Sequence, residues 1–532
     1  MLKDNRIWMG NSAEGEQLFL LPEMANRHGL VCGATGTGKT VTLKVMAEAL
    51  SDMGVPVFMA DVKGDIAGMM AAGTDSEDMR QRIARFGLEE AGFRYCGYPV
   101  TLWDIFGRDG IPLRTTMTEL GPVLLARILR LNDLQTDILT IVFKIAEDNN
   151  LLLIDTKDMK AMLHYVGEHA KDFAAEYGRI STASIGAITR AMVALELDGG
   201  EIFFGEPALN IHDWMIPNAE GRGRINVLAS DSLIGNGRLY STFLLWMLSE
   251  LFEKLPEVGD LDRPKMVFIF DEAHLLFNDV SKVLLEKILQ VVRLIRSKGV
   301  GVWFCTQSPK DIPDVILSQL GNKIEHGLHA YTPAEQKVVK AAAASFRVNP
   351  AFDTMEAIQR LGKGEAVVSF LDEKGVPGMA QIASILPPQS RLGAALEEER
   401  DLAVKGNAFY GKYAESVDPD SAYEFFQRLG LEQQAEEERA RAEAERAAEE
   451  ERIKKEQEKE QARAEKERAK EEKQKQRARD NTLKQVGNSV FGTLGREAGK
   501  KAGSAFGTIG KRVGGNLGAT IGRGLVGTLF KK

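Results

Sequence analysis

Cysteine is scarce in this chain, and its scarcity excludes two classes of protein. The 532 residues include only three cysteines, Cys32, Cys96 and Cys305. Their spacing fits neither a disulfide-stapled scaffold nor a cysteine-based zinc site, and it suits a reducing compartment. Aromatic residues are also few, at 7%, but a hydrophobic content of 44% is too high for a wholly disordered chain. The composition therefore indicates a globular protein with room for about three domains.

Long hydrophobic runs are absent from most of the sequence. The first residues, MLKDNRIWMGNSAEGEQ, lack the apolar segment of a secretory signal. Up to about residue 480, no uninterrupted apolar stretch is long enough to span a bilayer. We therefore expect a cytoplasmic protein, one that can also lie at the inner face of the membrane.

Charge is distributed unevenly along the chain. The formal net charge is −8, but residues 481–532 hold nine lysines and arginines against one acid, a balance of +8. The preceding 480 residues therefore carry −16. An acidic body argues against binding nucleic acid over its whole surface, although its net charge is compatible with a local basic channel.

Short apolar runs alternate with longer segments of helical period up to about residue 390, which is the pattern of an α/β domain. Most of these runs are apolar throughout, as expected of parallel strands that are covered on both faces. We predict a mainly parallel sheet flanked by helices, with strands within residues 28–34, 55–62, 99–105, 224–230, 265–272, 300–307 and 365–372.

Changes in composition divide the chain further. Between Thr115 and Leu197 helical period replaces the strand signals, which indicates an α-helical insertion in the sheet. The predicted organisation is a main domain over residues 1–395 with the insertion at 115–197, connecting helices over 396–430, a charged helical spacer over 431–480 and a basic glycine-rich tail over 481–532.

The segment 431–480 contains 17 acids and 15 bases and has no aromatic residue. Its helix propensity is high, and Glu recurs three and four residues from Lys or Arg. The apolar seam of a two-stranded coiled coil is missing. We predict a stiff, solvated single helix; a partly disordered linker and weak self-association are the alternatives.

The tail has glycines four residues apart, at 495, 499, 503 and 507 and again at 510, 514, 518 and 522. Such spacing lets helices approach closely, and the basic residues between the glycines suit anionic lipid. We predict association with an anionic membrane surface, or packing between copies of the tail, through residues 481–532. Disorder and contact with DNA are the alternatives.

The strongest chemical signal is GATGTGKT, residues 33–40, between an apolar strand and a segment of helical period. Its glycines let backbone N–H groups close around phosphates at a helix N-terminus. Lys39 should reach the β- and γ-phosphates, and the Thr40 hydroxyl should bind Mg²⁺. The predicted nucleotide-binding residues are Gly33, Ala34, Thr35, Gly36, Thr37, Gly38, Lys39, Thr40 and Asp61.

A second motif, MVFIFDEAH, delivers two acids to the carboxyl edge of the sheet. We predict that Asp271 holds Mg²⁺, together with Thr40, and that Glu272 orients and polarises the attacking water. For His274 we favour a structural or coupling role over catalysis.

Two further polar pairs follow or precede strands. Thr306 and Gln307 end the run VGVWFCTQ and could contact the γ-phosphate, the alternative being a strand-end cap.

Arg293 and Arg296 lie three residues apart on one helical face, at the end that we expect nearest the ligand edge. In a ring, one of them could reach a neighbour's γ-phosphate as an arginine finger; paired surface arginines are the alternative.

The segment DVKGD, residues 61–65, ends the second predicted strand. Asp61 or Asp65 would lie near the phosphates and could tune Mg²⁺ or the attacking water. The alternative is that each acid only forms the turn beside Gly64.

These motifs together resemble the HerA/FtsK branch of the additional-strand, RecA-like P-loop ATPases, most closely the compact bacterial HerA-like proteins. The resemblance covers roughly residues 5–395 and depends on HGLVCGATGTGKT, DVKGD, WDIFG, GRGRINVLAS, FIFDEAH, RSKGVGVWFCTQSP and ILPPQSRLG. It implies ATP as the nucleotide, with Mg²⁺, and a hexameric ring around DNA.

Two functions are compatible with the sequence. The first is a ring-forming motor that hydrolyses ATP to move on double- or single-stranded DNA, which the motif set favours. The second is an oligomeric switch or scaffold, controlled by ATP, that acts with a protein or membrane partner and threads no DNA, which the acidic body favours.

Overall fold

The computed structural model describes residues 1–230, 237–277 and 282–483. It divides into two units, Met1–Tyr423 and the chain from Glu424 onward. Residues 484–532, which include nearly all of the predicted basic tail, lie outside the described residues.

The first unit is built on one large sheet. Seven strands were expected, and each is present within its predicted range, so the prediction of a mainly parallel sheet is confirmed. The strands are β1 Leu2–Lys3, β2 Arg6–Ser12, β3 Gln17–Leu20, β4 Gly29–Cys32, β5 Val57–Asp61, β6 Val100–Asp104, β7 Ile111–Pro112, β8 Ile225–Ala229, β9 Met266–Phe270, β10 Val300–Thr306, β11 Asn322–His326, β12 Glu365–Ser369 and β13 Gln381–Ile385.

The order of the strands across the sheet is β1-β2-β13-β12-β11-β4-β10-β9-β5-β8-β6-β7, with β3 paired to β2. From β11 to β7 all neighbours are parallel, whereas β12, β13 and β1–β3 form an antiparallel extension. Strands β4, β9 and β10 are buried at every residue, because helices cover both faces of a parallel sheet. The carboxyl ends of the parallel strands therefore meet at one edge.

Helices surround the sheet, and the insertion predicted at 115–197 is helical. The helices are α1 Lys39–Asp52, α2 Glu77–Phe86, α3 Met117–Ile128, α4 Asp133–Asp148, α5 Thr156–Glu168, α6 Ala170–Tyr177, α7 Thr182–Leu195, α8 Glu201–Phe203, α9 Gly237–Lys254, α10 His274–Phe277, α11 Lys282–Leu294, α12 Asp314–Leu317, α13 Pro333–Ala344, α14 Thr354–Arg360, α15 Glu397–Lys405, α16 Tyr410–Tyr413 and α17 Ala422–Leu483.

Local sequence explains where the inserted helices begin. Asn132 caps α4 and Asp155 caps α5, each in a reciprocal pair with the residue three positions on. Helices α3 to α8 fill the connection between β7 and β8. The insertion thus extends the main domain without adding a strand to the sheet among the described residues.

The core of the sheet lies on two faces. On one face α1 packs over a large apolar cluster that includes Leu43, Met46 and Leu50. On the other face Phe58 stacks on Trp214 at 4.9 Å and on Phe268 at 5.1 Å between ring centres. Such close packing makes the sheet a rigid support for the loops at its carboxyl edge.

The charged segment is helical, as predicted, because it belongs to α17. Its described side chains between Leu431 and Glu456 are all exposed. Its role as a spacer and the exact domain boundaries stay predictions.

None of the described helices is by itself long and apolar enough to cross a membrane. Helix α6 and the segment 182–203 reach the required length and hydropathy only as a pair, with a bend of 105° between them.

Candidate functional site

The loop between β4 and α1 is a tight turn that depends on its glycines. Gly33, Gly36 and Gly38 have φ angles of +146°, +81° and +121°, which favour glycine. A Cβ atom on Gly33 would lie 2.5 Å from Cβ of His326. The backbone can therefore fold over the N-terminus of α1 only because these positions carry no side chain.

Lys39 lies inside this loop. Its side chain is buried, and Nζ donates to the carbonyl oxygens of Gly33 at 2.6 Å and Ala34 at 3.0 Å. Thr37 closes the loop from its own side chain, donating to the Ala34 carbonyl at 2.7 Å. The ammonium and the first N–H groups of α1 thus converge on one small space, which is the arrangement that binds phosphate.

Strand β11 supports the loop from below, and sequence reasoning missed it. Nδ1 of His326 donates to the Glu365 carbonyl at 2.8 Å, so Nε2 accepts from the Thr42 hydroxyl of α1 at 2.8 Å. Burial lowers the pKa of His326 to about 4, which keeps the ring neutral and its two bonds in place.

Glu325, the residue before His326, is also buried and was also missed. Burial raises its pKa to about 8, against smaller opposing effects of a hydrogen bond with Cys32 and the charge of Lys39. The carboxyl is therefore protonated at neutral pH. An acid inside the apolar pattern of NKIEH was the only signal for it in the sequence.

The acidic pair follows β9. Asp271 and Glu272 are both 7% exposed, and Oδ1 of Asp271 accepts the N–H of Glu272 at 2.9 Å. Burial raises the pKa of Asp271, while a hydrogen bond with Cys305 lowers it. Glu272 has φ +48°, a conformation that is uncommon for a residue with a side chain and is frequent at functional sites.

Gln307, at the end of β10, connects the acidic pair to the phosphate-binding loop. Its Nε2 lies 3.4 Å from both carboxylate oxygens of Glu272, and its Oε1 lies 3.5 Å from the Thr35 hydroxyl. Thr306 instead donates to Asp311 at 2.6 Å, in the strand-end cap that was the alternative interpretation. The structure thus brings Gln307, but not Thr306, between Glu272 and the phosphate-binding loop, and contact of Gln307 with a γ-phosphate stays a prediction.

Two further side chains contact Glu272, and neither contact was predicted. Nζ of Lys63 lies 3.3 Å from one carboxylate oxygen, and Nδ1 of His274 lies 3.3 Å from the other. Lys63 follows β5, the strand next to β9. Groups from three strand ends therefore surround this carboxylate.

Asp61 makes hydrogen bonds within the turn that follows β5. Its Oδ2 accepts the N–H groups of Ile66 at 2.9 Å and Ala67 at 3.0 Å, and burial raises its pKa to about 6. Since β9 and β10 stand between β5 and β4, this carboxylate forms a turn at its own strand end. The turn-forming alternative describes its contacts, and among the described residues no contact joins Asp61 to the phosphate-binding loop.

The two arginines lie at the edge of the sheet opposite the loop. Arg293 is near the end of α11, and Arg296 lies in the following 3-10 turn, directly before β10 begins. Arg296 pairs with Asp260 at 3.2 Å. The expectation that they lie nearest the ligand edge is wrong, because a helix that leads into a parallel strand ends at that strand's amino end.

Thr40 and Asp271 offer the oxygen atoms that Mg²⁺ prefers. Thr40 is in the first turn of α1, and Asp271 is at the carboxyl end of β9, so both face the edge where Lys39 lies. A hydroxyl and a buried carboxylate at the same edge of the sheet fit a metal that takes its remaining ligands from phosphates and water. No cluster of three or more His, Cys, Asp or Glu side chains suitable for a metal occurs among the described residues.

Strand β10 separates the strand of the phosphate-binding loop from the strand of the acidic pair. This order, with the loop geometry, places the molecule among the additional-strand, RecA-like P-loop NTPases, and the predicted fold class is confirmed. The chain belongs to the family described as helicase HerA-like, C-terminal, whose model matches residues 6–514. The family resemblance found in the sequence is therefore also confirmed.

Two named relatives match part of the chain. "DNA double-strand break repair helicase HerA" of Sulfurisphaera tokodaii is 32% identical over 150 residues, which are 27% of this chain and 29% of the relative. "Probable helicase MJECL08" of Methanocaldococcus jannaschii is 27% identical over 136 residues, 25% of this chain and 24% of the relative. The match thus spans less than a third of either relative.

Two solved structures are similar to this chain at low identity. VirB4 of Thermoanaerobacter pseudethanolicus has a TM-score of 0.47 and 15% identity, covering 75% of this chain and 99% of that one. The bacterial conjugative coupling protein TrwBdeltaN70 has a TM-score of 0.45 and 14% identity, covering 74% and 91%.

Proposed function

We propose that this chain is a Mg²⁺-dependent ATPase. Lys39 and the backbone of the 33–38 loop bind the phosphates of ATP. Thr40 and Asp271 would hold the metal, whose positive charge would neutralise charge on the phosphates. Glu272 accepts a proton from a water molecule while the oxygen of that water attacks the γ-phosphorus, and ADP leaves on the opposite side. Gln307 contacts the transferred phosphoryl group.

The observation that carries the proposal is the bridge made by Gln307. This amide contacts Glu272 on one side and Thr35 of the phosphate-binding loop on the other. A γ-phosphate bound at the loop would lie between the side chain that must place the water and the side chains that hold the phosphates. A turn that binds nothing does not need this link between two strand ends.

Replacing Glu272 by Gln tests the proposal. The shape of the side chain is kept but the proton acceptor is lost, so ATP should bind with a Kd within about twofold of the parent. Turnover should fall by at least about 100-fold, as for loss of a general base. Glu373→Gln, in an exposed turn, is the matched control. Undiminished hydrolysis by the Glu272→Gln protein would remove Glu272 from its role.

We further propose that the ATPase works as a homo-oligomeric ring, most simply a hexamer, that moves on DNA. The family and the names of the two relatives support a motor of this kind. Arg296 lies at the edge opposite its own phosphate-binding loop, so any part it plays in hydrolysis would be as a finger in a neighbour's site. Mixing Arg296→Ala protein with Lys39→Ala protein should then restore part of the activity; a monomer in ATP by light scattering would contradict the ring.

The role of DNA is tested by ATPase rates with and without duplex DNA at two salt concentrations. For a motor that contacts phosphates, DNA should stimulate hydrolysis, and the stimulation should weaken steeply with salt. Indifference to DNA would instead favour the switch or scaffold that acts with a protein or membrane partner. Association of residues 481–532 with an anionic membrane is part of that second proposal.

A further inference from the structure

Lys63 makes a contact that the ATPase proposal leaves without a role. It stands in the turn after β5, and its Nζ lies 3.3 Å from Oε1 of Glu272. The Glu272 side chain is only 9% exposed, whereas that of Lys63 is 44% exposed. The lysine therefore reaches from the surface toward a buried carboxylate at the centre of the site.

The other partners of Glu272 cannot replace this contact. Gln307 is neutral, and its amide nitrogen lies 3.4 Å from each oxygen, which is too long for a strong hydrogen bond. His274 carries a charge only when it is protonated. Among the described residues, Lys63 thus supplies a permanent positive charge beside Glu272, and charged partners make the strongest hydrogen bonds.

We propose that Lys63 is a positioning residue for hydrolysis, holding the Glu272 carboxylate in the orientation in which it receives the attacking water. This inference rests on the proposed function, because it assigns a role to Lys63 only if Glu272 handles the water. The proposed role also differs from the one predicted for the DVKGD segment. The prediction concerned Asp61, whereas the residue of this segment that contacts Glu272 is Lys63.

Two properties of the site support this role. Burial lowers the pKa of Lys63, but the charges of Asp271 and Glu272 raise it, and the net change is upward. The carboxylates therefore favour the charged ammonium form of the lysine. Glu272 also has φ +48°, an uncommon backbone conformation that persists only where the surrounding structure holds it. The Lys63 contact is one of the interactions that hold the carboxylate in place.

A pair of substitutions separates charge from bulk. Lys63→Met keeps the alkyl stem and loses the charge, whereas Lys63→Arg keeps the charge. We expect Lys63→Met to lower kcat about tenfold, with KM and the Kd for ATP within about twofold, because a misplaced reacting group slows chemistry without weakening binding. Lys63→Arg should recover at least about half of the lost kcat. Lys374→Met, in an exposed turn, should match the parent.

Three results would overturn the inference: a parental or raised kcat for Lys63→Met, a loss of kcat accompanied by an equal rise in KM, or no recovery with Lys63→Arg. Thermal unfolding of each variant shows whether it is folded, and the exposure of Lys63 makes loss of folding unexpected. A rise in kcat would mean that the lysine holds Glu272 in an idle position.

The double variant Lys63→Met, Glu272→Gln distinguishes the inference from the function beneath it. If Lys63 acts through Glu272, the double variant should be no slower than Glu272→Gln alone. If Glu272→Gln hydrolyses ATP normally, the proposed function fails. If Glu272→Gln is inactive but Lys63→Met is normal, only the role of Lys63 fails.

Discussion

Two lysine–glutamate pairs of this molecule show how differently the same chemical groups act at the carboxyl edge of the sheet and along α17. The Lys455–Glu451 pair of α17 is short, at 2.6 Å, but its side chains are 66% and 67% exposed. The Lys63–Glu272 pair is longer, at 3.3 Å, but the carboxylate is 9% exposed. Water and salt screen the first pair much more strongly than the second.

Burial, rather than distance, therefore decides which charges matter. At the sheet edge Lys39, Asp271 and Glu272 are all buried, and each is held by specific partners. Along α17 side chains of both charges are interspersed on an exposed helix, where the loss of one ion pair changes the free energy of unfolding only slightly. Substitutions at the edge should therefore have large and specific effects, and substitutions along the helix should have small ones.

The largest expected effect comes from Gly33→Ala. The new Cβ would lie 2.5 Å from Cβ and 3.1 Å from Cα of His326, and neither atom can move without shifting β11. The loop must open instead, which displaces the carbonyl that accepts from Lys39. We expect ATP binding to weaken by at least about 100-fold in a nucleotide titration, as for loss of several phosphate contacts.

Gly87→Ala is the control for backbone strain alone. Gly87 also has a positive φ, +62°, but no described atom lies within 4 Å of its added Cβ. This change should cost about 1 kcal/mol of stability at the end of α2 and leave ATP binding unchanged. Equal effects of the two substitutions on binding would contradict the argument from close approach.

The parallel part of the fold could be predicted, because its strands are apolar runs that need no knowledge of their partners. Strands β1 to β3 and β13 were missed, since β1 and β3 are short and β13 pairs with β2, a strand far away in the sequence. Strand β11 was missed because Asn322 and Glu325 interrupt its apolar pattern. Both polar side chains are buried there, which is a tertiary property.

The site could be predicted where a motif sets backbone geometry, as in residues 33–40 and Asp271–Glu272. It could not be predicted where side chains meet across strands, as for Lys63 or His326. The displaced arginines are a different case: the parallel order already implies that Arg293 and Arg296 stand at the amino edge. The parallel sheet predicted from the sequence was therefore sufficient to place both arginines at the amino edge.

Glu325→Gln tests how burial controls one charge of the edge region. Burial raises the pKa of Glu325 to about 8, whereas an unfolded glutamate titrates near ~4.3. Between these values the folded protein keeps a proton that the unfolded chain has released. The contribution of this carboxyl to the free energy of unfolding is therefore full below about pH 4.3 and is lost as the pH rises to about 8.

Glutamine cannot titrate, so Glu325→Gln should match the parent near pH 4 and be more stable at pH 8, by about 5 kcal/mol at most. Denaturant unfolding at several pH values measures this gap. Cys32 and Lys39 face the same carboxyl, and His28 and His326 titrate at the acid end in both proteins, so their effects largely cancel in the difference. A gap that stays constant with pH would refute the protonated state.

The smallest expected effect belongs to the exposed pair of α17. Replacing Glu451 and Lys455 together by alanine removes an ion pair that water already screens, and alanine restores helix propensity. We expect the ATPase rate and the circular-dichroism signal of the helix to be unchanged, and the thermal midpoint to move by less than about 1 °C. The single variants should behave like the double one, because an exposed charge left alone is hydrated. A thermal midpoint that falls for the two single variants but not for the double variant would show that Glu451 and Lys455 are coupled. Burial would then no longer explain the difference between this pair and the Lys63–Glu272 pair, and only their roles in catalysis would distinguish them.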